Sequence, residues 1–405
     1  MRAVLADLTI PRYAMTAAAQ FLPGRAGSRT GWGPGGLLSL RDDLPEPEMP
    51  DSPGWVRLRP ELAGICGSDT AVAHAKSSPV LSAFYSARRQ ILGHEIAGVV
   101  EAVGPGVTSV REGDRVAVDP ILSCTHRGFA LCRSCREGHP YVCERFDQPG
   151  STGCDSPSLG FDAALGGGWG ELVVAHQTQL HPAGTVPSRR LVLAEPASIA
   201  LHAALRWTRR GDRAVVIGPG TIGLLLTAAL RRLHPDLDIT MVGPGAAGLL
   251  AGATRTLPPG SGVVEALAAQ HGGRVIRPRL TRTPILEQGV DVVFDCVGLS
   301  STIDLSLHVL RPTGMLVLVG SAGRQTVDWS LVWNRQLTVQ GTVNSAEMAR
   351  VVEWLGDPAF PVDGLVTHTF PLDAWRTALA TASDGPRAGA VKVTLRPNPE
   401  IPLVG

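Results

Sequence analysis

A large net charge of either sign is missing from this 405-residue chain, in which 37 basic residues face 36 acidic ones for a formal charge of +1. Such a balance produces no broad electrostatic field that would attract nucleic acid or an anionic membrane. The sequence also contains no uninterrupted apolar run of about 20 residues, the length that crosses a bilayer. We therefore expect neither a nucleic acid nor a membrane among the partners of this protein.

A secretory signal is missing as well, because the start MRAVLADLTI lacks an apolar block followed by a small-residue cleavage site. The seven cysteines are an odd number, and without a signal peptide they favour a metal site or a reactive thiol over a disulfide framework. Hydrophobic residues make up 44% of the chain and charged residues 18%, which excludes a disordered protein. We expect a soluble, cytoplasmic, globular protein with room for two ordinary domains.

The pattern of apolar residues changes twice along the chain. Up to about residue 185, short apolar segments such as WVRLRPELAGI alternate with Gly and Pro, as is typical of β-strands and turns. From about residue 191, continuous apolar segments such as AVVIG and ITMVG are separated by helix-like segments, which predicts an α/β fold with a buried parallel sheet. After about residue 344 the pattern is mixed again. We therefore predict a discontinuous domain, residues 1–190 and 345–405, with residues 191–344 inserted as a second domain.

A cluster of thiols lies in the first part of the chain. Four cysteines fall within 20 residues: Cys124, Cys132, Cys135 and Cys143. Tetrahedral zinc takes four thiolates at about 2.3 Å, and a site with no open position is structural rather than catalytic. Four thiolates on Zn²⁺ leave a local charge of −2. The arginines in or beside the segment that would offset it are Arg127, Arg133, Arg136 and Arg145. The alternative is a set of unrelated core or surface cysteines.

A glycine-rich turn follows the apolar segment AVVI and precedes the apolar helix-like segment LLLTAAL. The candidate cofactor-binding residues in it are Gly218, Gly220, Thr221, Ile222 and Gly223. In this context the first glycine forms the turn, the second lets the backbone approach a pyrophosphate, and the third lets helix and strand pack closely. The free N–H groups of the helix N-terminus bind the phosphates. The pattern predicts a dinucleotide-binding site.

Three further residues are candidates that carry little weight when each is taken alone. Cys66 in GICGSD is compatible with a small buried hydrophobe, and His94 in GHE with a hydrogen-bonded core histidine. Glu195 in LAEPAS is compatible with an acid that stabilises a helix start.

Together, in this order, the motifs GICGSD, GHEIAGVVEAVGPGV, GDRVAV, the four-cysteine segment, the EP motif, GPGTIG and DVVFDCVG resemble the zinc-dependent medium-chain dehydrogenase/reductase family. The similarity to this family, the alcohol dehydrogenase superfamily, covers nearly the whole chain. It implies a GroES-like, β-rich catalytic domain and a Rossmann domain with a doubly wound parallel sheet. It also implies two zinc ions per chain, NAD or NADP, and assembly as a homodimer or homotetramer.

The resemblance assigns roles to individual residues. Cys66 and His94 match the ligands of the catalytic zinc, and Glu195 matches the acidic ligand of the polyol and glucose dehydrogenase branch. Glu95 matches a residue that is a direct ligand in some members and only supports a ligand in others. Lys392 matches a basic residue that contacts cofactor phosphate.

Two family features are absent. Ala71 stands where many members carry a proton-relay histidine, although Ser68 keeps the hydroxyl group that follows the zinc-binding cysteine. A relay would then run from Ser68 through the cofactor ribose or water. His74 lies nearby as a relay candidate or a surface histidine. The acid that binds the ribose 2′-hydroxyl in NAD-selective folds is replaced by Gly243, and Arg255 is the nearest downstream base, so NAD and NADP stay open.

The resemblance implies a zinc-dependent oxidoreductase that transfers a hydride between NAD(P) and a secondary alcohol of the polyol, sugar or cyclitol type. Zinc would lower the pKa of the substrate hydroxyl, and the small-molecule substrate would leave as a carbonyl compound. Two alternatives remain: an aldehyde or ketone reductase of the same family, and a catalytically silent dinucleotide-binding protein. The long segment 8–47 could cap the substrate cleft, form an oligomer contact or serve only as a loop.

Overall fold

The structure is a computed structural model that describes residues 1–19, 32, 36–78, 80–81, 87–146, 148–154, 156–320, 323–343 and 346–405. The chain folds into two compact units. The first unit contains Met1–Glu195, Met348–Asp357 and Asp363–Gly405. The second unit contains Pro196–Glu347 and Pro358–Val362. The short segment Pro358–Val362 therefore groups with the second unit although it lies beyond residue 344, the end of the inserted domain proposed from the sequence.

Strands and helices are interspersed along the described part of the chain. The strands are β1 (Ala3–Asp7), β2 (Leu38–Arg41), β3 (Trp55–Gly64), β4 (Arg89–Ile91), β5 (Ile96–Val103), β6 (Arg115–Val118), β7 (Val173–His176), β8 (Leu180–Pro182), β9 (Arg213–Ile217), β10 (Asp238–Val242), β11 (Arg255–Leu257), β12 (Val275–Ile276), β13 (Ile285–Leu286), β14 (Val290–Asp295), β15 (Leu310–Leu318), β16 (Thr338–Gly341), β17 (Val366–Pro371) and β18 (Lys392–Arg396). The helices are α1 (Ile10–Ala19), α2 (Gly67–Ala73), α3 (Arg133–Arg136), α4 (Ser188–Leu191), α5 (Ala194–Arg206), α6 (Thr221–Leu233), α7 (Ala247–Leu250), α8 (Val263–His271), α9 (Ser300–Val309), α10 (Ser330–Asn334), α11 (Met348–Gly356) and α12 (Trp375–Asp384).

The first unit is built on a seven-stranded sheet. Its strand order is β17-β18-β3-β5-β6-β8, with β7 also paired to β3. Pairs are antiparallel except β17 with β18. Apolar side chains fill the core, among them Trp55, Leu58 and Val116, because alternate residues of each strand face inward. The sheet is the β-rich part of the predicted fold.

A second, antiparallel sheet has three strands in the order β2-β1-β4, and its strand β2 lies in segment 8–47, whose role the sequence left open. Both faces of β1 are buried: Ala3 and Leu5 pack into one apolar cluster, while Val4 and Ala6 pack into another. The described part of segment 8–47 thus includes a helix and a strand and is not only loop. Residues 20–31 and 33–35 of this segment lie outside the described residues, so its roles as a cap or an oligomer contact stay predictions.

The second unit contains a six-stranded parallel sheet in the order β11-β10-β9-β14-β15-β16. Numbered by their order along the chain within this sheet, the strands run 3-2-1-4-5-6, the arrangement of a dinucleotide-binding fold. The central strands β9 and β14 are almost entirely buried, as expected for apolar strands covered on both faces. The predicted doubly wound α/β fold is confirmed. Among the described residues, no helix combines the length and apolar character needed to cross a membrane.

Candidate functional site

The strand register of the first unit brings three distant segments together at one end of its sheet. Ala63 pairs with Ile96, and Gly64 pairs with Thr394. Cys66 follows the end of β3, His94 and Glu95 precede β5, and Lys392 begins β18. These predicted site residues therefore lie side by side although β18 is about 300 residues away in the sequence.

A candidate metal-binding set lies at this end of the sheet. Cys66, His94 and Glu95 each offer one ligand atom, and these three atoms lie within 4.8 Å of one another. His94 and Glu95 are buried, and Cys66 is partly buried. Thiolate, imidazole and carboxylate are the groups that zinc accepts in proteins. With only three protein donors, the set leaves room for a further ligand, as a catalytic zinc requires.

Asp69 connects two members of this set, and the sequence analysis gave it no role. Its Oδ2 accepts a 2.8 Å hydrogen bond from the Cys66 backbone N–H, which starts α2. Its Oδ1 lies 3.6 Å from Nδ1 of His94, whose other ring nitrogen is then left for a metal. Asp69 is fully buried. The signal in the sequence was the spacing: Asp69 lies three residues after Cys66, the residue before the helix, and an acid at that spacing reaches back to the helix start.

Lys392 has a different partner from the predicted cofactor phosphate. Its Nζ donates to both carboxylate oxygens of Glu95 at 2.6 Å and to the Ile65 carbonyl at 3.3 Å. Its side chain is only 4% exposed. The ammonium group is therefore enclosed by the candidate zinc site and is not presented to a phosphate in this structure. The structure gives Lys392 a buried ion pair that fixes the position of Glu95, and its predicted contact with cofactor phosphate stays a prediction.

The charge around the metal-binding set is predominantly negative. Burial alone lowers the pKa of His94, but the adjacent Asp69 carboxylate and Cys66 outweigh burial and raise that pKa well above its usual value. Burial raises the pKa of Glu195 to about 7, while His94 opposes the shift and Glu95 adds to it. Burial lowers and Glu95 raises the pKa of Lys392, with a net rise. The carboxylates that lie around this set favour a cation, and the donor types fit Zn²⁺.

Glu195 lies in the first turn of α5 and is buried. It is not among the three residues whose donor atoms form the compact set, yet its charge acts on His94, Glu95 and Lys392. The structure thus places two candidate carboxylates around the same centre. Asp119, also among the charges that act on Glu195, is a further acidic neighbour that the sequence analysis did not single out.

The remaining relay candidates lie in or just after α2. Ser68 is in the first turn of this helix and half-buried, so its predicted role in proton transfer stays a prediction. His74 is not a free surface histidine. Its ring packs edge-on against Trp32 at 4.9 Å, and its Nε2 lies 3.2 Å from the Ser383 hydroxyl. Burial lowers the pKa of His74, so packing accounts for this residue.

The four cysteines of the predicted structural zinc site converge in the structure. Their sulfur atoms lie within 4.8 Å of one another: Cys124, Cys132, Cys135 and Cys143. Cys124 and Cys143 are 3.5 Å apart at Sγ, and Cys132 and Cys143 are 4.0 Å apart. A tetrahedron of Zn–S bonds of about 2.3 Å places the sulfurs about 3.8 Å apart, so the cluster fits zinc. The Cys132 backbone N–H points to the Cys124 sulfur at 3.4 Å, as it would toward a thiolate.

Among the four arginines near this cluster, Arg127 is the one the structure encloses. It has no exposed surface, and its Nη2 donates to Cys143 Sγ at 3.6 Å while Nη1 donates to the Gln148 carbonyl at 2.9 Å. By contrast, the Arg133 side chain is 76% exposed and pairs with Glu137. The guanidinium of Arg127 therefore offsets part of the negative charge of a zinc–tetrathiolate centre.

Removing this charge is expected to weaken zinc retention. In Arg127→Gln, the four-thiolate zinc should leave about 10- to 100-fold faster, matching the 1.5–3 kcal/mol of a hydrogen bond to a charged group. Transfer of zinc to a colorimetric chelator measures the rate. Arg133→Gln is the matched control and should release zinc at the wild-type rate. Equal rates for Arg127→Gln and wild type would show that Arg127 only fills space.

The predicted cofactor-binding turn has the geometry that its glycines require. Gly218 follows β9 with φ of +101°, a conformation that side chains rarely adopt. A Cβ on Gly223, in the first turn of α6, would lie 1.9 Å from the Gly218 carbonyl oxygen. A Cβ on Gly220 would meet nothing within 4 Å, so the backbone before α6 borders open space. Thr221 and Ile222 begin the helix, whose free N–H groups suit a pyrophosphate.

Arg255 does not reach the end of the sheet where a ribose would bind. It pairs in register with Thr240, and its Nη1 donates to Asp238 Oδ1 at 2.5 Å, at the start of β10. In this structure Arg255 is thus held in an ion pair away from that end, and its candidate role at a 2′-phosphate stays a prediction. Cys154 is buried, and burial raises the pKa of the Cys296 thiol, so neither has the character of a reactive thiol.

Comparison with known families agrees with this geometry. The family described as "Alcohol dehydrogenase GroES-like domain" matches residues 52–187, and the family described as "Zinc-binding dehydrogenase" matches residues 245–357. These two ranges cover parts of both structural units.

Individual relatives extend over most of the chain. A (R,R)-butanediol dehydrogenase of Neisseria gonorrhoeae is 27% identical over 387 residues, covering 88% of this chain and 96% of the relative. D-arabinitol dehydrogenase 1 of Uromyces fabae is 25% identical, covering 85% and 90%. The crystal structure of a short chain alcohol dehydrogenase, RspB, from Escherichia coli CFT073 with NADH superposes with a TM-score of 0.72. It is 23% identical and covers 98% of this chain and 99% of its own, a likeness that shows the fold.

Proposed function

The chain belongs to the medium-chain dehydrogenase/reductase family of the alcohol dehydrogenase superfamily and is an NAD(P)-dependent zinc oxidoreductase; on this premise we propose that it oxidises a secondary hydroxyl of a polyol-type substrate. The observation that carries the proposal is the compact donor set of Cys66, His94 and Glu95, together with the buried Glu195 carboxylate whose charge acts on the last two of these. The relatives that act on arabinitol and butanediol support a substrate with several hydroxyl groups. Assembly as a homodimer or homotetramer and a cytoplasmic location also stay proposals.

The residues that would hold the catalytic zinc are Cys66 and His94, with Glu195 or Glu95 as the carboxylate ligand. A bound zinc would supply a Lewis acid that makes a substrate hydroxyl easier to deprotonate, and a bound nicotinamide cofactor would supply the hydride acceptor. One thiolate and one carboxylate balance the two charges of the ion. They therefore leave more electrophilic character at the site than two thiolates and a carboxylate would.

The protein's own part is to hold these groups and exclude wrong geometries. Asp69 fixes the Cys66 backbone by a hydrogen bond and places its negative charge 3.6 Å from the His94 ring. Lys392 holds Glu95 by two short hydrogen bonds, which keeps one of the two carboxylates engaged with a cation of the protein. We propose that this leaves Glu195 as the carboxylate ligand and that Ser68 takes up the substrate proton. The glycine turn from Gly218 to Gly220 and the first turn of α6, which contains Gly223, would bind the cofactor pyrophosphate.

Turnover assays with defined small molecules test this function. The zinc-loaded protein should reduce NAD⁺ or NADP⁺, followed at 340 nm, with polyols or vicinal diols, and faster than with primary alcohols. Faster reduction of aldehydes with NAD(P)H than oxidation of any polyol would favour the reductase alternative. Binding of NADH without turnover of any alcohol or carbonyl would favour the silent dinucleotide-binding protein. Either result would overturn the proposal.

A further inference from the structure

The residue that decides between NAD and NADP has an unusual neighbour in this chain. In a dinucleotide-binding fold, selection of NAD relies on an acid about 20 residues after the glycine motif, at the end of the second strand. Gly243 stands at that place, directly after β10. Its N–H donates to the Leu257 carbonyl at 2.9 Å, so its backbone is fixed beside β11.

The ring of Pro219 occupies the space that a side chain at position 243 would need. A Cβ on Gly243 would lie 2.2 Å from Cδ and 2.6 Å from Cγ of Pro219. Cβ atoms in proteins stay beyond about 3 Å from such neighbours, and the proline ring cannot rotate away because it is closed on its own backbone. Pro219, which lies between the first two glycines of the motif, therefore leaves room only for glycine at position 243.

The two loops next to Gly243, after β10 and after β11, offer no charge that could replace the missing acid or attract a phosphate. The stretch that follows β10, GPGAAGLLAGAT, and the stretch that follows β11, PPGSG, contain no charged residue. Arg255 is paired with Asp238 at the opposite end of β10. These two loops would therefore offer a ribose no charged side chain.

We propose that Pro219 is a residue that determines cofactor selectivity, because its ring excludes an acidic side chain at position 243 and thereby leaves the adenosine ribose site neutral. This inference rests on the proposed dehydrogenase function. It predicts that the protein binds NADH and NADPH with similar affinity. It also predicts that selectivity for NADH can be introduced only when positions 219 and 243 are changed together.

Titration calorimetry with NADH and NADPH tests the coupling of the two positions. Wild type and Pro219→Ala, which deletes Cγ and Cδ, should bind the two cofactors within about tenfold of each other. Gly243→Asp alone should weaken both cofactors by about tenfold or more, since the proline must be displaced. Pro219→Ala/Gly243→Asp should regain NADH binding and prefer NADH over NADPH by about 100-fold.

Two controls separate the steric effect from the charge. Ala246→Asp puts the same charge in the same loop away from Pro219, so its effect should be equal with and without Pro219→Ala. Gly243→Ala adds only a Cβ and should lower the melting temperature, with Pro219→Ala restoring it. Gly243→Asp that prefers NADH as strongly as the double variant would overturn the inference. Binding of neither cofactor by wild type would overturn the dehydrogenase function itself.

Discussion

Replacing Cys66 by serine is expected to lower kcat/KM by about 10³-fold or more, because several kcal/mol of Lewis-acid catalysis disappear when the zinc loses its thiolate. The same change should remove one of two zinc ions and leave the four-thiolate ion in place. The fold should persist, since the substitution keeps the backbone N–H of residue 66 that donates a hydrogen bond to Asp69. Steady-state kinetics together with metal analysis of the purified variant measure both effects.

Cys154→Ser is the matched control for this experiment. Cys154 is a buried thiol whose Sγ donates to the Ser156 carbonyl, outside both cysteine sets, so its replacement should leave activity and zinc content unchanged. Full activity and two zinc ions in Cys66→Ser would exclude Cys66 as a ligand. Such a result would also remove the one sulfur donor from the set of Cys66, His94 and Glu95.

Glu195→Gln is expected to lower turnover by more than 100-fold and to reduce zinc occupancy at the catalytic site. The substitution keeps the volume of the side chain but removes the anion that balances Zn²⁺. Glu95→Gln should lower turnover less, by about 10- to 100-fold, because Glu95 supports the zinc ligands through Lys392 and does not bind the ion itself. Comparing kcat and zinc content of the two variants separates a ligand from its support.

The result can also reverse the assignment. If Glu95→Gln loses zinc and Glu195→Gln keeps it, then Glu95 is the ligand, in agreement with its place in the compact donor set. If Glu195 only favours the start of α5, its replacement should change stability by about 0.3–1 kcal/mol and leave turnover nearly intact. Thermal unfolding of the zinc-loaded variants distinguishes this outcome from loss of a ligand.

The fold was readable from the sequence where local pattern and motif agreed. The apolar segments AVVIG and ITMVG became β9 and β10 of a parallel sheet, with the glycine turn between β9 and α6. The four cysteines lie close together because only 20 residues contain them, so few arrangements of the chain are open to them. In these regions the interactions that matter connect neighbours in the sequence.

The parts that could not be predicted depend on contacts between distant residues. The sequence predicted a cofactor phosphate as the partner of Lys392. Its position in the sequence cannot reveal that Glu95, 297 residues away, accepts its hydrogen bonds. Arg127 could not be distinguished from Arg133 by sequence, since burial alone separates them. Arg255 is the nearest base after β10 in the sequence, but its guanidinium pairs with Asp238 at the start of that strand.

The central claim is that the chain holds two zinc centres of different kinds, and a metal count during controlled chelation tests it most directly. Native mass spectrometry of the active protein should find two zinc ions per chain. A mild chelator should remove one ion in step with activity, because the three-donor site is open, while the four-thiolate ion stays bound. Readdition of zinc should then restore activity. Fully active protein with a single, tightly held zinc ion would contradict the account.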